Sequence, residues 1–333
     1  MHKFKGWLGI YTLKQVVNKI LFTYQKKRKI IFEILYISFA FKIYHKISSR
    51  IIIYLVNIFG FEKYNNSTIL RSLFFSGIRG MSLDEIMNIR EKYFKKVILN
   101  DNKIHNKDFK DIICVIRDRG YCDISKMFNI KEDEIDEVKK YFKSQELYNG
   151  HDPLQSDLNK TNYENIYKNK TSHQLFNKGY FSYDAGTSLK NDQINRLVNS
   201  KRLKLLADLY CGFDTELYTI STLLNTKEKF EHPVANFHRD TDDFITIGFF
   251  IYWTKTTKNN GATKYILGSH RKTTTNNNEQ ILDANPGTII AGDWMGLHSG
   301  NNNMEESERL ITIIRFGKKI NNCYMQTKSF YFF

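Results

Sequence analysis

The chain has 333 residues, of which 41% are hydrophobic, and a formal net charge of +15. This length is enough to bury a full core and predicts one catalytic domain with an appendage. The cysteines Cys114, Cys122, Cys211 and Cys323 show neither a Cys-x-x-Cys pair nor a regular spacing. They exclude a disulfide framework and predict free thiols in a reducing compartment.

The positive charge is concentrated at the N-terminus. Residues 1–60 contain eleven lysines and arginines against a single acidic residue, Glu33. The chain after residue 60 is only mildly basic, so its charge pattern gives no support to a nucleic-acid partner for that part of the protein.

Residues 1–62 are predicted to form a basic, apolar, helical extension. Its two apolar runs, Ile30–Phe41 and Ile51–Phe61, are shorter than the roughly 18–20 residues that span a bilayer. Basic helices with an apolar face are typical of peripheral attachment to anionic membrane surfaces. No secretory signal is evident, so we predict a cytoplasmic protein with peripheral contact at the inner face of a membrane through residues 1–60. The alternative is that these helices pack on the catalytic domain or on a second subunit.

The next segments are predicted to be helical. Residues 63–106 form a helical linker region, in which Ser82 with Glu85 three positions later is typical of a helix start. An amphipathic helix is predicted within Ile130–Tyr148. Residues 149–200 are polar and weakly periodic, which favours a loop covering the site entrance.

From Leu217 onward the pattern changes to short strands separated by Gly/Asn turns. Two strands are predicted at Tyr218–Asn225 and Phe244–Thr254, and such a series favours a sandwich or a barrel. The strongly aromatic segment Ser329–Phe333 is interpreted as a docking tail.

Four side chains within this region carry the chemistry. On an extended strand His238 and Asp240 project the same way, and His298 lies 60 residues further along the chain. Two imidazoles and one carboxylate are the ligand set of a non-haem ferrous site with open positions. Arg309 follows by 11 residues and would supply a fixed cation for an acidic co-substrate.

The region resembles the phytanoyl-CoA dioxygenase family of Fe(II)- and 2-oxoglutarate-dependent oxygenases. The likeness includes Gly261-Ala262, Gly268-Ser269-His270 and Gly292-Asp293, together with Ile116–Tyr121 upstream, and it covers residues 107–333. The resemblance implies an α+β fold whose core is a double-stranded β-helix, or jelly roll, flanked by helices.

The resemblance also implies a reaction. Fe(II) would be held by His238, Asp240 and His298, and 2-oxoglutarate would chelate the metal while its C5 carboxylate binds Arg309. With O2, such an enzyme hydroxylates an unactivated C–H bond and releases succinate and CO2. Related halogenases have a small residue in place of the carboxylate, so Asp240 argues for hydroxylation. The substrate would be a small-molecule or lipid- or carrier-linked metabolite.

Other pocket residues are predicted on weaker grounds. Ser221 and Asn225 lie on one alternating face of the first strand and are candidates for co-substrate binding, although they equally fit a sheet surface. Trp253 either lines the co-substrate pocket or packs in the core. Arg315 is the alternative to Arg309 as the residue that binds 2-oxoglutarate. The two arginines are six residues apart, and an even separation puts both on the same face of a strand. His270 is interpreted as structural or as a substrate contact.

A second function remains open. A non-catalytic jelly-roll binding protein, associated with a membrane surface, would keep the fold without turnover. The complete set His238, Asp240, His298 and Arg309 favours the enzyme.

Overall fold

The fold is described from a computed structural model, which covers residues 43, 46–55, 81–98, 106–149, 160–168, 180–226, 236–240, 244–271, 278–300, 307–318 and 331–332. Residues 46–55 are helical. The further helices are α1 (Leu83–Ile98), α2 (Lys107–Arg119), α3 (Glu132–Lys143), α4 (Tyr163–Lys168), α5 (Ala185–Lys190), α6 (Asp192–Val198) and α7 (Lys201–Cys211), with a 3-10 turn at Ser125–Met127.

The strands form antiparallel sheets. They are β1 (Tyr121–Asp123), β2 (Glu146–Asn149), β3 (Lys160–Asn162), β4 (Tyr180–Tyr183), β5 (Glu216–Asn225), β6 (Arg239–Asp240), β7 (Ile247–Tyr252), β8 (Thr263–Ile266), β9 (Glu279–Leu282), β10 (Ile289–Gly292), β11 (His298–Ser299), β12 (Arg309–Gly317) and β13 (Tyr331–Phe332). A large sheet has the order β1-β10-β7-β12-β5-β4-β2-β3, a small sheet the order β11-β8-β9, and β13 pairs with β6.

The helix ends follow from local chemistry. At the start of α1, Ser82 N donates to Glu85 Oε2 at 2.8 Å and Glu85 N donates to Ser82 Oγ at 3.2 Å, which is the predicted capping box. Helix α2 begins with Asn106 as its cap and ends at Gly120, which adopts a φ of 105°. A glycine is required there because the φ is left-handed and a Cβ would lie 2.2 Å from the Tyr265 hydroxyl.

The large sheet separates two cores. On one side its strands pack against the helices, and this helix-side core contains Ile220, Leu224, Phe249, Ile251, Trp253, Ile314 and Phe316. On the other side they pack against the small sheet, and this inter-sheet core contains Tyr180, Leu223, Phe250, Tyr252, Tyr265, Leu282, Trp294 and Ile311. Alternate residues of β5, β7 and β12 therefore serve different cores, as the pleat requires.

The predicted fold class is confirmed, because antiparallel sheets with flanking helices form the α+β jelly-roll architecture. The amphipathic helix is also confirmed as α3, whose buried residues are Ile135, Val138 and Phe142. The loop predicted for residues 149–200 is wrong over its described parts, where β4, α5 and α6 lie. All four residues of β4 are buried, so both faces of the strand are covered and no polar alternation marks it.

The N-terminal extension lies mostly outside the described residues, as do the apolar run Ile30–Phe41 and most of Ile51–Phe61. The proposed domain boundaries at residues 62 and 106 remain predictions. Helix α1 contributes Ile86, Met87 and Ile89 to the helix-side core, which also contains residues of α2 and α3. Among the described helices, none is both long and apolar enough to span a membrane.

Candidate metal centre

Three buried side chains converge where β6 meets β11. His238 and His298 exchange backbone hydrogen bonds of 2.9 and 3.0 Å, so the two histidines are opposed across the strand pair. The backbone N–H of Asp240 donates to the Trp294 carbonyl at 2.9 Å, which fixes the third residue against the turn before β11. All three side chains are buried, and their ligand atoms lie within 4.8 Å of one another.

The hydrogen bonds of the imidazoles determine which nitrogen is available. His238 Nδ1 lies 2.9 Å from the Asn236 carbonyl, and His298 Nδ1 lies 2.9 Å from the Gly296 carbonyl. Because a carbonyl oxygen can only accept, both Nδ1 atoms carry the proton. Both Nε2 atoms are therefore unprotonated and carry the lone pair that a metal ion binds, in the arrangement usual for metal-ligating histidines.

Burial also keeps the imidazoles neutral. Burial lowers the pKa of His238, against the opposing effect of Asp240. Burial, with a further contribution from His238, lowers the pKa of His298 to about 3. Both rings are thus uncharged at neutral pH, which is the state that a metal ion requires of a histidine ligand.

The side-chain spacing fits a divalent ion. His238 Nε2 lies 3.7 Å from Asp240 Oδ1, and His298 Nε2 lies 3.5 Å from Asp240 Oδ2. Ligand atoms about 2.1 Å from an ion and at right angles to each other lie about 3 Å apart. Shortening these two distances by about 0.5–0.7 Å would bring each histidine–aspartate pair to that separation. The donor set of two histidines and one carboxylate suits Fe(II).

Arg309 is a buried cation held by neutral groups. Its Nη1 donates to Asn225 Oδ1 and its Nη2 to Thr263 Oγ1, each at 3.0 Å, and its guanidinium lies 5.7 Å from the centre of the Tyr252 ring. Within the described ranges no carboxylate pairs with it, and its buried Nε has no hydrogen-bond partner. A buried charge without a counter-ion is costly, so this geometry is suited to an acidic ligand.

Arg315 has a different role from Arg309. It lies on the same inward face of β12 and donates through Nη2 to Asp240 Oδ2, with both side chains buried. Arg315 is thus engaged by the carboxylate of the triad, whereas no carboxylate in the described part of the chain pairs with Arg309. The preference for Arg309 over Arg315 as the residue that binds an acidic co-substrate remains a prediction, and the contact of Arg315 with Asp240 restrains that carboxylate.

Tyr180 lies among these charges. Burial raises the pKa of Tyr180 strongly, Arg309 and Arg315 oppose that effect, and Asp240 adds to it. Tyr180 belongs to the inter-sheet core together with Tyr252, which lies beside Arg309, and Trp294, whose ring contacts His298, so Arg309 and the triad border the same core. Sequence reasoning missed Tyr180, Tyr252 and Thr263, because β4 was not predicted as a strand and the inward face of β7 could not be identified.

The weaker sequence candidates are distributed differently. Asn225 orients Arg309, its direct cross-strand partner. Ser221 is buried opposite Ile313 on the inward face of β5, and its predicted contact with a co-substrate remains a prediction. Trp253 packs in the helix-side core, which was one of its two predicted roles, and its Nε1 donates to Thr312 Oγ1 at 2.8 Å. The residue beside Arg309 is instead Tyr252.

His270 is structural. It is 1% exposed, and its Nε2 lies 3.0 Å from the Arg117 carbonyl, so this ring ties the turn after β8 to the end of α2. Burial lowers the pKa of His270 to about 4.

No protein-family model and no curated protein sequence matches the chain. Solved structures of similar fold include the epimerase SnoN in complex with Fe3+, alpha ketoglutarate and nogalamycin RO, at 14% identity and a TM-score of 0.45 over 63% of this chain and 83% of that one. HygX from Streptomyces hygroscopicus with nickel and 2-oxoglutarate bound gives 12% identity and a TM-score of 0.46 over 62% and 86%. EctD from S. alaskensis with 2-oxoglutarate and 5-hydroxyectoine gives 16% identity and a TM-score of 0.43 over 62% and 74%. These likenesses are remote, and the chemistry proposed below rests on the residues of this chain.

Proposed function

We propose that this protein is an Fe(II)- and 2-oxoglutarate-dependent dioxygenase that hydroxylates an unactivated C–H bond of a small-molecule or lipid- or carrier-linked metabolite. The observation that carries the proposal is the pairing of two sites in one buried space. A His-Asp-His group lies within metal-binding distance, and Arg309 faces the same space without a carboxylate among the described residues.

Each protein group has a defined task in this proposal. The Nε2 atoms of His238 and His298 donate lone pairs, and Asp240 supplies a negative charge while Arg315 restrains its carboxylate. Arg309 binds the distal carboxylate of 2-oxoglutarate with a planar fork that Asn225 and Thr263 hold in orientation.

The surrounding residues exclude water. His238, Asp240 and Arg309 are each less than 10% exposed, and the stacked pair Phe250 and Trp294 lies close to His298. When bound, iron with O2 and 2-oxoglutarate supplies the oxidant: one oxygen atom enters the substrate as hydroxyl, the other enters succinate, and CO2 is released.

The test uses the full-length chain with Fe(II) and 2-oxoglutarate. Under anaerobic conditions the wild type should develop a weak visible charge-transfer absorption, and in air it should convert 2-oxoglutarate to succinate. Arg309→Met should raise the Kd for 2-oxoglutarate about 100-fold, since it removes charge-assisted hydrogen bonds of about 1.5–3 kcal/mol each. Arg196→Met, at an arginine that is 59% exposed and paired with Glu134, is the matched control and should bind normally.

Two outcomes would redirect the proposal. Unchanged 2-oxoglutarate affinity in Arg309→Met would remove the role given to that arginine. Binding of Fe(II) and 2-oxoglutarate without succinate formation, in the presence of cell metabolite extracts, would favour the non-catalytic binding protein. Comparison of metabolites from cells with and without the protein, searched for a mass gain of one oxygen, would identify the substrate.

We also propose that the N-terminal region attaches to an anionic membrane surface. The helical residues 46–55 bury Ile52 at 0% exposure, and Arg50 forms an ion pair with Glu85 of α1 at 2.6 Å. The opposite face presents Ile47 and Tyr54, which are 54% and 64% exposed. Residues 1–60 as a whole carry eleven basic residues against one acid, and an apolar face within such a basic region suits acidic lipid headgroups.

Vesicle sedimentation tests the attachment. The full chain should sediment with vesicles containing phosphatidylglycerol and not with pure phosphatidylcholine vesicles, and Ile47→Ser combined with Ile51→Ser should abolish the difference. Leu205→Ser is the control, since Leu205 is an apolar side chain on α7 that is also 44% exposed. Equal sedimentation of the double variant and the wild type would contradict the attachment.

A further inference from the structure

The turn between β10 and β11 holds the residues of the triad through three successive carbonyls. Asp240 N donates to Trp294 O at 2.9 Å. Arg239 Nη1 donates to Met295 O at 2.7 Å. Gly296 O accepts from His298 Nδ1 at 2.9 Å. This turn therefore holds the imidazole of His298 and the backbone of β6, the strand that carries Asp240.

Asp293, at the beginning of this turn, fixes the turn from within. Its Oδ1 accepts from Met295 N at 3.1 Å, and its carbonyl accepts from Gly296 N at 3.1 Å and from the Tyr265 hydroxyl at 2.7 Å. Its backbone N–H donates to Gly120 O at 2.8 Å. Gly296 has no room for change, because a Cβ there would lie 1.9 Å from the Tyr265 hydroxyl.

The second carboxylate oxygen of Asp293 is held from the helix side. Oδ2 accepts hydrogen bonds from Arg90 Nη2 and from the Tyr210 hydroxyl. Arg90 belongs to α1 and is 2% exposed, and Asp293 is 1% exposed. The pair is thus a buried ion pair between residues 203 positions apart, in which each charge depends on the other.

Arg90 also reaches the other segment that carries ligands. Its Nη1 donates to the carbonyl of Phe244, four residues after Asp240. One guanidinium therefore ties the stretch that follows the first histidine and the carboxylate to the turn that precedes the second histidine. A planar fork with fixed donors is suited to such a bridge.

We propose that Arg90 and Tyr210 are positioning residues of the metal centre that act through Asp293. Helix α1, which carries Arg90, then belongs structurally to the oxygenase domain. The inference rests on the proposed metal site. Loss of either donor lets the Asp293 turn shift, and the carbonyls that orient His298 and Asp240 shift with it. Metal affinity should fall even though neither residue touches the metal ligands.

The test measures Co(II) binding to the full-length chain at a temperature where every variant is folded. Partners that orient metal ligands typically contribute about 10- to 100-fold in affinity. We expect about a 10-fold or larger increase in the Kd for Co(II) in Arg90→Met, and an increase of about threefold to tenfold in Tyr210→Phe, with an altered ligand-field spectrum in both. Arg90→Lys, which keeps the charge but has one donor group, should give an intermediate affinity and spectrum.

The control separates positioning from general destabilisation. Val138→Ala removes a residue of 0% exposure from α3, in the same helix-side core but away from the turn. It should lower the unfolding midpoint and leave the Co(II) affinity and spectrum of the folded protein unchanged. Wild-type affinity and spectrum in both Arg90→Met and Tyr210→Phe would overturn the inference. If Arg90→Met does not fold, Tyr210→Phe decides. Failure of the wild type to bind Co(II) would overturn the metal site itself.

Discussion

The two faces of the large sheet are built from the same strands but treat buried polar groups differently. On the helix side Thr312 Oγ1 accepts from Trp253 Nε1 at 2.8 Å and lies 2.9 Å from Thr222 Oγ1, so these three neutral groups satisfy one another. On the inter-sheet side Arg309 is buried with neutral partners only. The comparison favours the inter-sheet side as the location of the proposed site, because the described residues leave a buried charge without a counter-ion there.

The largest expected effect comes from removing a metal ligand of the triad on the inter-sheet side. His298→Ala removes one of three ligands, so we expect a loss of Fe(II) affinity of more than about 100-fold, beyond the range typical of residues that only orient ligands. Anaerobic Fe(II) titration measures this effect, and no succinate should form. Retention of wild-type Fe(II) affinity would show that the metal lies elsewhere.

A substitution on the helix side should change stability instead. Trp253→Ala leaves a large cavity in the helix-side core and should lower the free energy of unfolding by about 3–5 kcal/mol. The Kd for 2-oxoglutarate of the folded protein should not change. Urea denaturation and ligand titration together make the measurement, and a weakening of 2-oxoglutarate binding comparable to that of Arg309→Met would restore Trp253 to the co-substrate site.

His270 gives a pH-dependent effect away from the triad. Its pKa is lowered to about 4 by burial, whereas in the unfolded chain it would be about 6.5. The unfolded state therefore binds a proton at a higher pH than the folded state does, and stability is lost as the pH falls from about 6.5 to about 4, by roughly 3 kcal/mol in total.

The measurement for His270 is the unfolding free energy against pH without added metal. His270→Gln keeps a donor for the Arg117 carbonyl and removes the titration, so its curve should be flatter than that of the wild type between about pH 4 and 6.5. Parallel curves would show that His270 titrates normally in the folded protein.

The smallest expected effect concerns a single hydroxyl of the helix side. Thr312→Val keeps the shape but leaves the buried Trp253 N–H without its acceptor, which should cost about 1–2 kcal/mol of stability. Chemical denaturation measures it, and Fe(II) binding should be unchanged. A loss of Fe(II) affinity would show that the two faces of the sheet are coupled.

The sequence predicted the parts of the site that depend on strand periodicity and motif spacing. The predicted ligands His238, Asp240 and His298 have ligand atoms within 4.8 Å of one another, and Arg309 is buried. The face of β7 could not be predicted, because Ile247–Tyr252 is apolar and buried on both sides. If the facing of this strand is assigned one residue out of step, Trp253 takes the place of Tyr252 beside Arg309. The sequence shows no alternation of polar and apolar residues that decides between the two.

The role of Arg90 could not be predicted either. Its partners lie 154 and 203 residues away, and no local pattern encodes contacts between such distant segments. The sequence does indicate the helix on which Arg90 lies, through the Ser82 and Glu85 capping box. What it lacks is any sign that one charged residue of that helix would be buried.

The two neutral partners of Arg309 belong to different sheets, Asn225 to the large one and Thr263 to the small one. A dicarboxylate bound to this guanidinium would therefore restrain the large sheet and the small sheet together. Backbone amides of β5, β8 and β12 should then exchange their hydrogens with solvent more slowly when 2-oxoglutarate is added. Slower exchange in both sheets would report that the pocket is occupied.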